Sequence, residues 1–445
     1  MAQLKRSRWL LLCALLALIF CEVAWLAFFT FGEGDIVHYE CYGLIFWLGS
    51  HGTTLLPQAY CSFLSHLTPQ PPLRMLPLEY PPLTVLLFSL PLLTPLSDYT
   101  LVFALLMTLS AALIYWLLAR STARRAAPIF LLYLLLGTAG VFQERFDLLP
   151  AACVLLCLLA AERGHWRYAY LALSLGILLK LYPLVMLPTL FLAEQRTWLS
   201  SLEIPAAQSS WPDRVRACIV NWHWRNLLLC LALLFAVTSG FALLNLQDAI
   251  LSPLIYFLQR PAQIESLIAS FIWLGGHFGV PYETSFTFGS LNINSSLLRL
   301  ISPTDTLLTG VGLLAIYWLQ LRKRIDLAQT LVGLVCILIV TNKVFSPQYL
   351  IWLMPLLAYI AARGQTSRLW LAAWAVISLL TSFIYVFYYS RMPDPQTARL
   401  VVLTLPGFFE FVALRNLLLA VTVLSYLCGW WGARAGATRP TNVCS

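Results

Sequence analysis

Charge is what this 445-residue sequence has least of: Asp, Glu, Lys and Arg together supply 11% of it, against 60% apolar residues. Soluble domains carry about a quarter charged residues, so that class is excluded and a polytopic membrane protein is indicated. Histidine is scarce as well, and the six present (His38, His51, His66, His165, His223, His277) show no zinc-ligand spacing. The 11 cysteines are scattered without metal spacing, mostly inside apolar runs where Cys acts as a small hydrophobe. Walker-type loops, dinucleotide glycine motifs and GxSxG elbows are missing, which leaves ATP-driven and Rossmann chemistry unsupported. No cofactor and no metal is expected.

What is present is a succession of long apolar runs. A spanning helix needs about 20 mainly apolar residues. Runs of this kind fall at 9–31, 99–119, 127–142, 148–161, 168–181, 182–195, 226–247, 304–321, 326–340, 349–362, 369–389 and 411–432. The expected fold is therefore an all-α membrane protein, a polytopic bundle of about 12 transmembrane helices forming a single domain over 1–445. Lys5, Arg6 and Arg8 place the N-terminus in the cytoplasm, and the first run is too long for a signal-peptide core. The same frame puts most of the 28 Lys and Arg residues in cytoplasmic loops, so the formal charge of +9 reflects topology and implies no nucleic-acid partner. It also defines external loops 32–98 and 248–303 and a cytoplasmic loop 196–225. The apolar stretch 80–96 is read as an external interfacial helix, because counting it as a span would turn Arg120 to Arg125 outward. By the same reasoning Lys180-Leu181-Tyr182-Pro183 is an external turn. Cys41 and Cys61 share loop 32–98 and could form a disulfide.

The few charges concentrate at segment ends, where an ionisable group close to the bilayer marks a candidate site. Glu33-Gly34-Asp35 follows the first span; a carboxylate between flexible glycines at the membrane edge suits a general base, and Asp35 could equally cap a short helix from 36. Glu144-Arg145-Phe146-Asp147 squeezes three charges between two apolar runs. Arg145 could pair with a neighbouring acid as a structural clasp, and Asp147 could cap the next helix. Lys180 and Lys343 lie in short turns followed by proline, Lys180-Leu181-Tyr182-Pro183 and Asn342-Lys343-Val344-Phe345-Ser346-Pro347-Gln348-Tyr349. Each could snorkel to headgroups or bind the phosphate of a lipid-linked donor. Loop 248–303 carries Arg260 through Glu265-Ser266 and an aromatic, amide-rich stretch from Trp273 to Asn294, which fits a sugar surface or an interfacial belt.

Taken in order, Gly34-Asp35, Glu79-Tyr80-Pro81-Pro82-Leu83, Arg145-Phe146-Asp147-Leu148-Leu149-Pro150, Leu179-Lys180-Leu181-Tyr182-Pro183, Arg260 through Glu265-Ser266, and Asn342-Lys343 through Gln348-Tyr349 resemble bacterial polyprenol-phosphate-mannose-dependent mannosyltransferases of the glycosyltransferase C superfamily. The lysine-tyrosine-proline and asparagine-lysine segments are also similar to the catalytic subunit of GPI mannosyltransferase I. The resemblance implies a plasma-membrane enzyme with both termini cytoplasmic and an outward site. Asp35 is then the expected catalytic base. Glu33, Tyr80, Arg145, Asp147, Lys180, Tyr182, Arg260, Glu265, Lys343 and Gln348 are the expected substrate-binding residues. Glu33-Gly34-Asp35 departs from a paired-aspartate motif, which argues against a metal-dependent role for the pair.

The expected reaction is transfer of a hexose, foremost mannose, from a polyprenyl-phosphate donor to a hydroxyl of a glycolipid or glycan acceptor, with inversion to an α-glycoside. The competing class is a membrane transporter or lipid-linked sugar flippase, whose broken helices also carry charged ends. No half-to-half repeat supports it.

Overall fold

The computed structural model describes residues 35–57, 60–64, 69–138, 141–201, 220–389 and 405–432. The first expected span, 9–31, and Glu33 lie outside the described residues. From α1 (Ile36–Leu48) the chain passes through turns to the short helix α2 (Thr84–Ser89), which lies where the interfacial segment is expected. Five helices then alternate between the two ends of the bundle: α3 (Tyr99–Ala119), α4 (Ala126–Gly137), α5 (Leu148–Glu162), α6 (Trp166–Leu179) and α7 (Leu187–Ser201). The long α8 (Arg225–Leu244) leads to α9 (Ser252–Gln259), β1 (Ala262–Gln263), α10 (Leu267–Gly276), β2 (Tyr282–Thr287) and β3 (Ser290–Ser295). The remainder is α11 (Leu298–Leu321), α12 (Leu327–Val340), α13 (Tyr349–Ala362), α14 (Arg368–Phe383), continued by a π-turn at Ile384–Tyr388, and α15 (Phe408–Gly432).

Local chemistry sets several of these boundaries. Asp326 accepts from the Gln329 backbone while the Gln329 side chain accepts from the Asp326 backbone, a reciprocal cap that starts α12. Ser266 and Ser367 cap α10 and α14 in the simpler way. Gly364, at φ 71°, takes the left-handed conformation that ends α13. Helix α7 runs through Ser201, so the polar loop expected at 196–225 is helical at its start, and Gln195 is tied back to His223 by hydrogen bonds of 3.1 and 2.7 Å.

Among the described residues five helices are long and apolar enough to cross a membrane: Leu96–Ala119, Arg225–Leu244, Leu298–Leu321, Arg368–Tyr388 and Phe408–Gly429. Seven more of the described helices are apolar but shorter, so helix length alone does not establish about 12 crossings. The two kinds sit differently. Every residue of α13 from Leu350 to Ile360 is buried, and α12 is buried over most of its length. By contrast only 11% of the apolar window of α8 and 6% of that of α11 is buried inside the protein. A helix apolar all round is either core or lipid-facing, and this protein uses both solutions. Gly137 lets α4 approach α13 and α14, since a Cβ there would stand 2.6 Å from Met354 Cε and 3.1 Å from Ser378 Cβ.

The all-α expectation needs one amendment. Segment 248–303 contains a three-stranded antiparallel sheet in the order β1-β3-β2. Its strands carry Tyr, Phe, Thr and Ile, which suit a pleated half-buried surface. Thr287 pairs with Ser290 across a two-residue turn in which Phe288 and Gly289 have φ of 55° and 65°. Positive φ at both central positions matches the right-handed twist of a hairpin. Phe288 is held in this uncommon conformation by Tyr256, whose hydroxyl donates to its carbonyl at 3.0 Å. Cys41 and Cys61 are joined in a disulfide.

Candidate active site

Asp35 and Asp147 each occupy the residue before a helix, α1 and α5, where a carboxylate normally caps the first turn. Neither side chain does so. Asp35 instead forms an ion pair with Arg145, and Asp147 Oδ1 pairs with Lys180 Nζ at 2.5 Å. The capping position is therefore as expected from the sequence, while the carboxylates face away from their own helices toward cations from other turns. Because Arg145 and Asp147 belong to one turn, the two pairs lie side by side.

Aromatic rings close around the second pair. Lys180 Nζ lies 5.8, 4.9 and 5.3 Å from the ring centroids of Tyr80, Phe146 and Trp352. Trp352 is stacked between Tyr182 and Tyr349, at 4.3 and 4.2 Å, and its indole nitrogen donates to Asp147 Oδ1. Four segments thus meet at one end of the bundle: the turn at 79–83, the turn at 145–147, the turn at 180–182 and the first turn of α13. Asp147 is fully buried and its second oxygen, Oδ2, has no hydrogen-bond partner among the described residues.

Two further cations stand nearby, Arg260, whose charge reaches Arg145, and Lys343, which feels Arg260. Arg260 donates to Ser290 Oγ at 3.1 Å and lies over the Tyr256 ring at 5.6 Å. Lys343 donates to the Leu258 carbonyl at 3.0 Å and lies over Phe257 at 5.5 Å. Neither belongs to an ion pair among the described residues. Burial lowers the pKa of Lys343, and the positive charge of Arg260 acts in the same sense. Arg145 is likewise lowered, first by burial and then, against Tyr385, Asp147 and Tyr349, by Arg260. Arg260 thus acts as a like charge on both Arg145, the partner of Asp35, and Lys343, a field that favours an anion. Glu79, next to Tyr80, reaches Tyr256: burial first and then the Glu79 charge push that phenol upward.

Two expected binding residues are engaged by partners within the chain. Glu265 Oε2 accepts from Arg415 at 2.7 Å and Oε1 accepts from the Tyr389 hydroxyl at 2.7 Å, so both oxygens are taken. Gln348 sits buried before α13, where its Oε1 accepts from Ser346 Oγ at 2.5 Å.

Several residues around the site carry little signal in the sequence. Trp352 reads as one more aromatic in an apolar span; only its place one turn after Gln348 marks it. Tyr385 donates to Glu144 Oε2 at 3.1 Å from the π-turn of α14, which no local pattern announces. Burial pushes the Glu144 carboxyl up to about 8 against that hydrogen bond. Arg415 could have been found: an arginine within a spanning run is costly and needs a partner. Among the described residues no three His, Cys, Asp or Glu side chains converge as a metal-binding group.

The family model of glycosyltransferase family 87 matches residues 78–347, which include Tyr80, Arg145, Asp147, Lys180, Tyr182, Arg260, Glu265 and Lys343 but not Asp35 or Trp352. No curated protein matches the chain. Among solved structures, ArnT from Cupriavidus metallidurans bound to undecaprenyl phosphate is similar at 14% identity, with a TM-score of 0.43 over 95% of this chain and 77% of that one. The apo state of the same protein gives 16% identity and a TM-score of 0.38, over 96% and 77%. Likenesses this weak say nothing further of this chain.

Proposed function

The chain belongs to glycosyltransferase family 87, and on that premise we propose that it transfers a hexose, mannose foremost, from a polyprenyl phosphate to a glycolipid or glycan hydroxyl. The observation that carries the reading is that Arg145, the partner of the Asp35 carboxylate, feels the charge of Arg260, which in turn acts on Lys343. A lipid-linked phosphate brought to the end of the bundle would relieve the repulsion of Arg260 against Arg145 and Lys343, and guanidinium and ammonium groups are the usual clamps for such oxygens.

The chemistry follows from that arrangement. Asp35 takes the proton of the acceptor hydroxyl. The oxygen bonds to the anomeric carbon, the bond from that carbon to the phosphate oxygen breaks, and the electron pair leaves on polyprenyl phosphate under the cations. A β-linked donor gives an α-glycoside. Arg145 fixes the direction of the Asp35 carboxylate, and a donor phosphate competing for the same guanidinium would release it for proton transfer. The Cys41–Cys61 disulfide supports placing loop 32–98 in an oxidising compartment, on the outer face of a plasma membrane. Both termini are then cytoplasmic, loop 248–303 completes the site face, and about 12 crossings make up the bundle.

The test is transfer of radiolabelled mannose from polyprenyl phosphate mannose to membrane lipids in a strain lacking the gene. Wild type should restore labelling, and Asp35→Asn, equally expressed and inserted, should reduce turnover by roughly two to four decades. Undiminished turnover in Asp35→Asn removes that residue as base; no labelling with wild type removes mannose or the donor class.

A further inference from the structure

The sequence marks Lys180 as one of the cations that hold the donor phosphate. Its surroundings point elsewhere: it is paired with Asp147 at 2.5 Å, its side chain is only 14% exposed, and the rings of Tyr80, Phe146 and Trp352 enclose it. The ammonium and the Trp352 indole both converge on a single oxygen, Asp147 Oδ1. Such a geometry fixes the rotation of the carboxylate and directs its other oxygen. Oδ2 is buried without a partner. A buried acceptor left unmatched is costly, so it marks a place where a donor from outside the chain completes the network. Stacked rings around a fixed carboxylate oxygen are the surface a sugar needs, ring faces for its C–H groups and a charged acceptor for a hydroxyl.

We propose that Asp147 Oδ2 accepts a hydrogen bond from a ring hydroxyl of the transferred hexose, and that Lys180 and Trp352 are positioning residues for Asp147. This rests on the transferase reading above and gives the cations separate roles. Arg145, Arg260 and Lys343 face the phosphate, while Lys180 serves the sugar subsite through Asp147. The sugar is then read at a buried acceptor oxygen, where loss of a hydroxyl costs about ten- to a hundredfold.

The experiment is a panel of monodeoxy hexosyl polyprenyl phosphates assayed in detergent with wild type, Asp147→Asn, Trp352→Phe and Lys180→Met. One deoxy donor should lose about ten- to a hundredfold in kcat/KM with wild type. That penalty should shrink to within a fewfold in Asp147→Asn, whose amide puts N–H in place of the second acceptor oxygen, and in Trp352→Phe. Inhibition by free polyprenyl phosphate should be unchanged in Lys180→Met. A tenfold weakening of that inhibition makes Lys180 a phosphate ligand and overturns the assignment. Should the variants fail to fold, wild type alone decides: activity indifferent to every single deoxygenation overturns this proposal while leaving the transferase reading standing. Wild type inert with every polyprenyl-phosphate hexose overturns both.

Discussion

Two regions of this protein hold acids against cations, and they do so in opposite ways. At the Glu265 knot, Arg415 donates to Glu265 Oε2 and, at 2.6 Å, to the Glu265 carbonyl, Tyr389 takes Oε1, and Asn416 reaches the carbonyls of Glu265 and Ser266 at 3.0 Å each and Ser270 Oγ at 2.8 Å. Glu265 has no oxygen to spare. At the Asp35 and Asp147 pairs, Asp147 Oδ2 and Arg145 Nε are buried without partners among the described residues, and Arg260 and Lys343 stand outside any ion pair described there. A saturated knot ties α15 to the segment ahead of α10, whereas an unsaturated cluster has capacity for something that is not part of the chain. Charge near the bilayer is thus a weaker guide to function than charge whose hydrogen bonds are incomplete.

The strongest way to break that comparison is to open the knot. Arg415→Met leaves the Glu265 carboxylate buried and uncompensated, so it should cost about 3–5 kcal/mol and lower the yield of folded protein in detergent, with part of the loss recovered in the Arg415→Met/Glu265→Gln double variant. Unaltered thermal unfolding of the single variant would mean that the knot is not structural. Asp35→Asn should instead unfold like wild type.

A smaller effect is expected from Cys41→Ser. The disulfide closes a loop over a sequence separation of 20, for which chain entropy gives about 3 kcal/mol, and the loss should vanish when wild type is compared in reductant. Equal melting of the two proteins under oxidising conditions would show that the bond contributes nothing.

Glu144 offers a probe of another kind, a slope in pH. Its carboxyl is pushed from 4.5 to about 8 in the fold, so between these values the unfolded chain is ionised while the folded chain still holds its proton. The contribution of the neutral carboxyl is complete below 4.5 and is lost as pH rises to about 8. Glu144→Gln should flatten the fall of melting temperature across that window. An identical slope in wild type and variant would place the titration elsewhere.

The architecture was legible in the apolar runs because membrane burial imposes long stretches of one chemistry, and α3, α5, α6, α12, α13 and α15 lie close to where those runs predict. Helix α11 starts at Leu298, ahead of the apolar run at 304–321, and continues through Pro303. The sheet escaped notice because a two-residue hairpin with Phe at positive φ has no Asn-Gly signature.

By itself, then, the sequence determined a multi-spanning helical protein, the turns that carry its charges and the resemblance those turns share with glycosyltransferases; hydropathy and charge are local properties and survive in one dimension. Which acid meets which cation was decided only in three dimensions. Asp35 lies far along the chain from Arg145, as Asp147 does from Lys180 and Trp352 and Glu265 from Arg415. Partner choice depends on which helix ends the packing brings together, and that is a property of the assembled bundle alone.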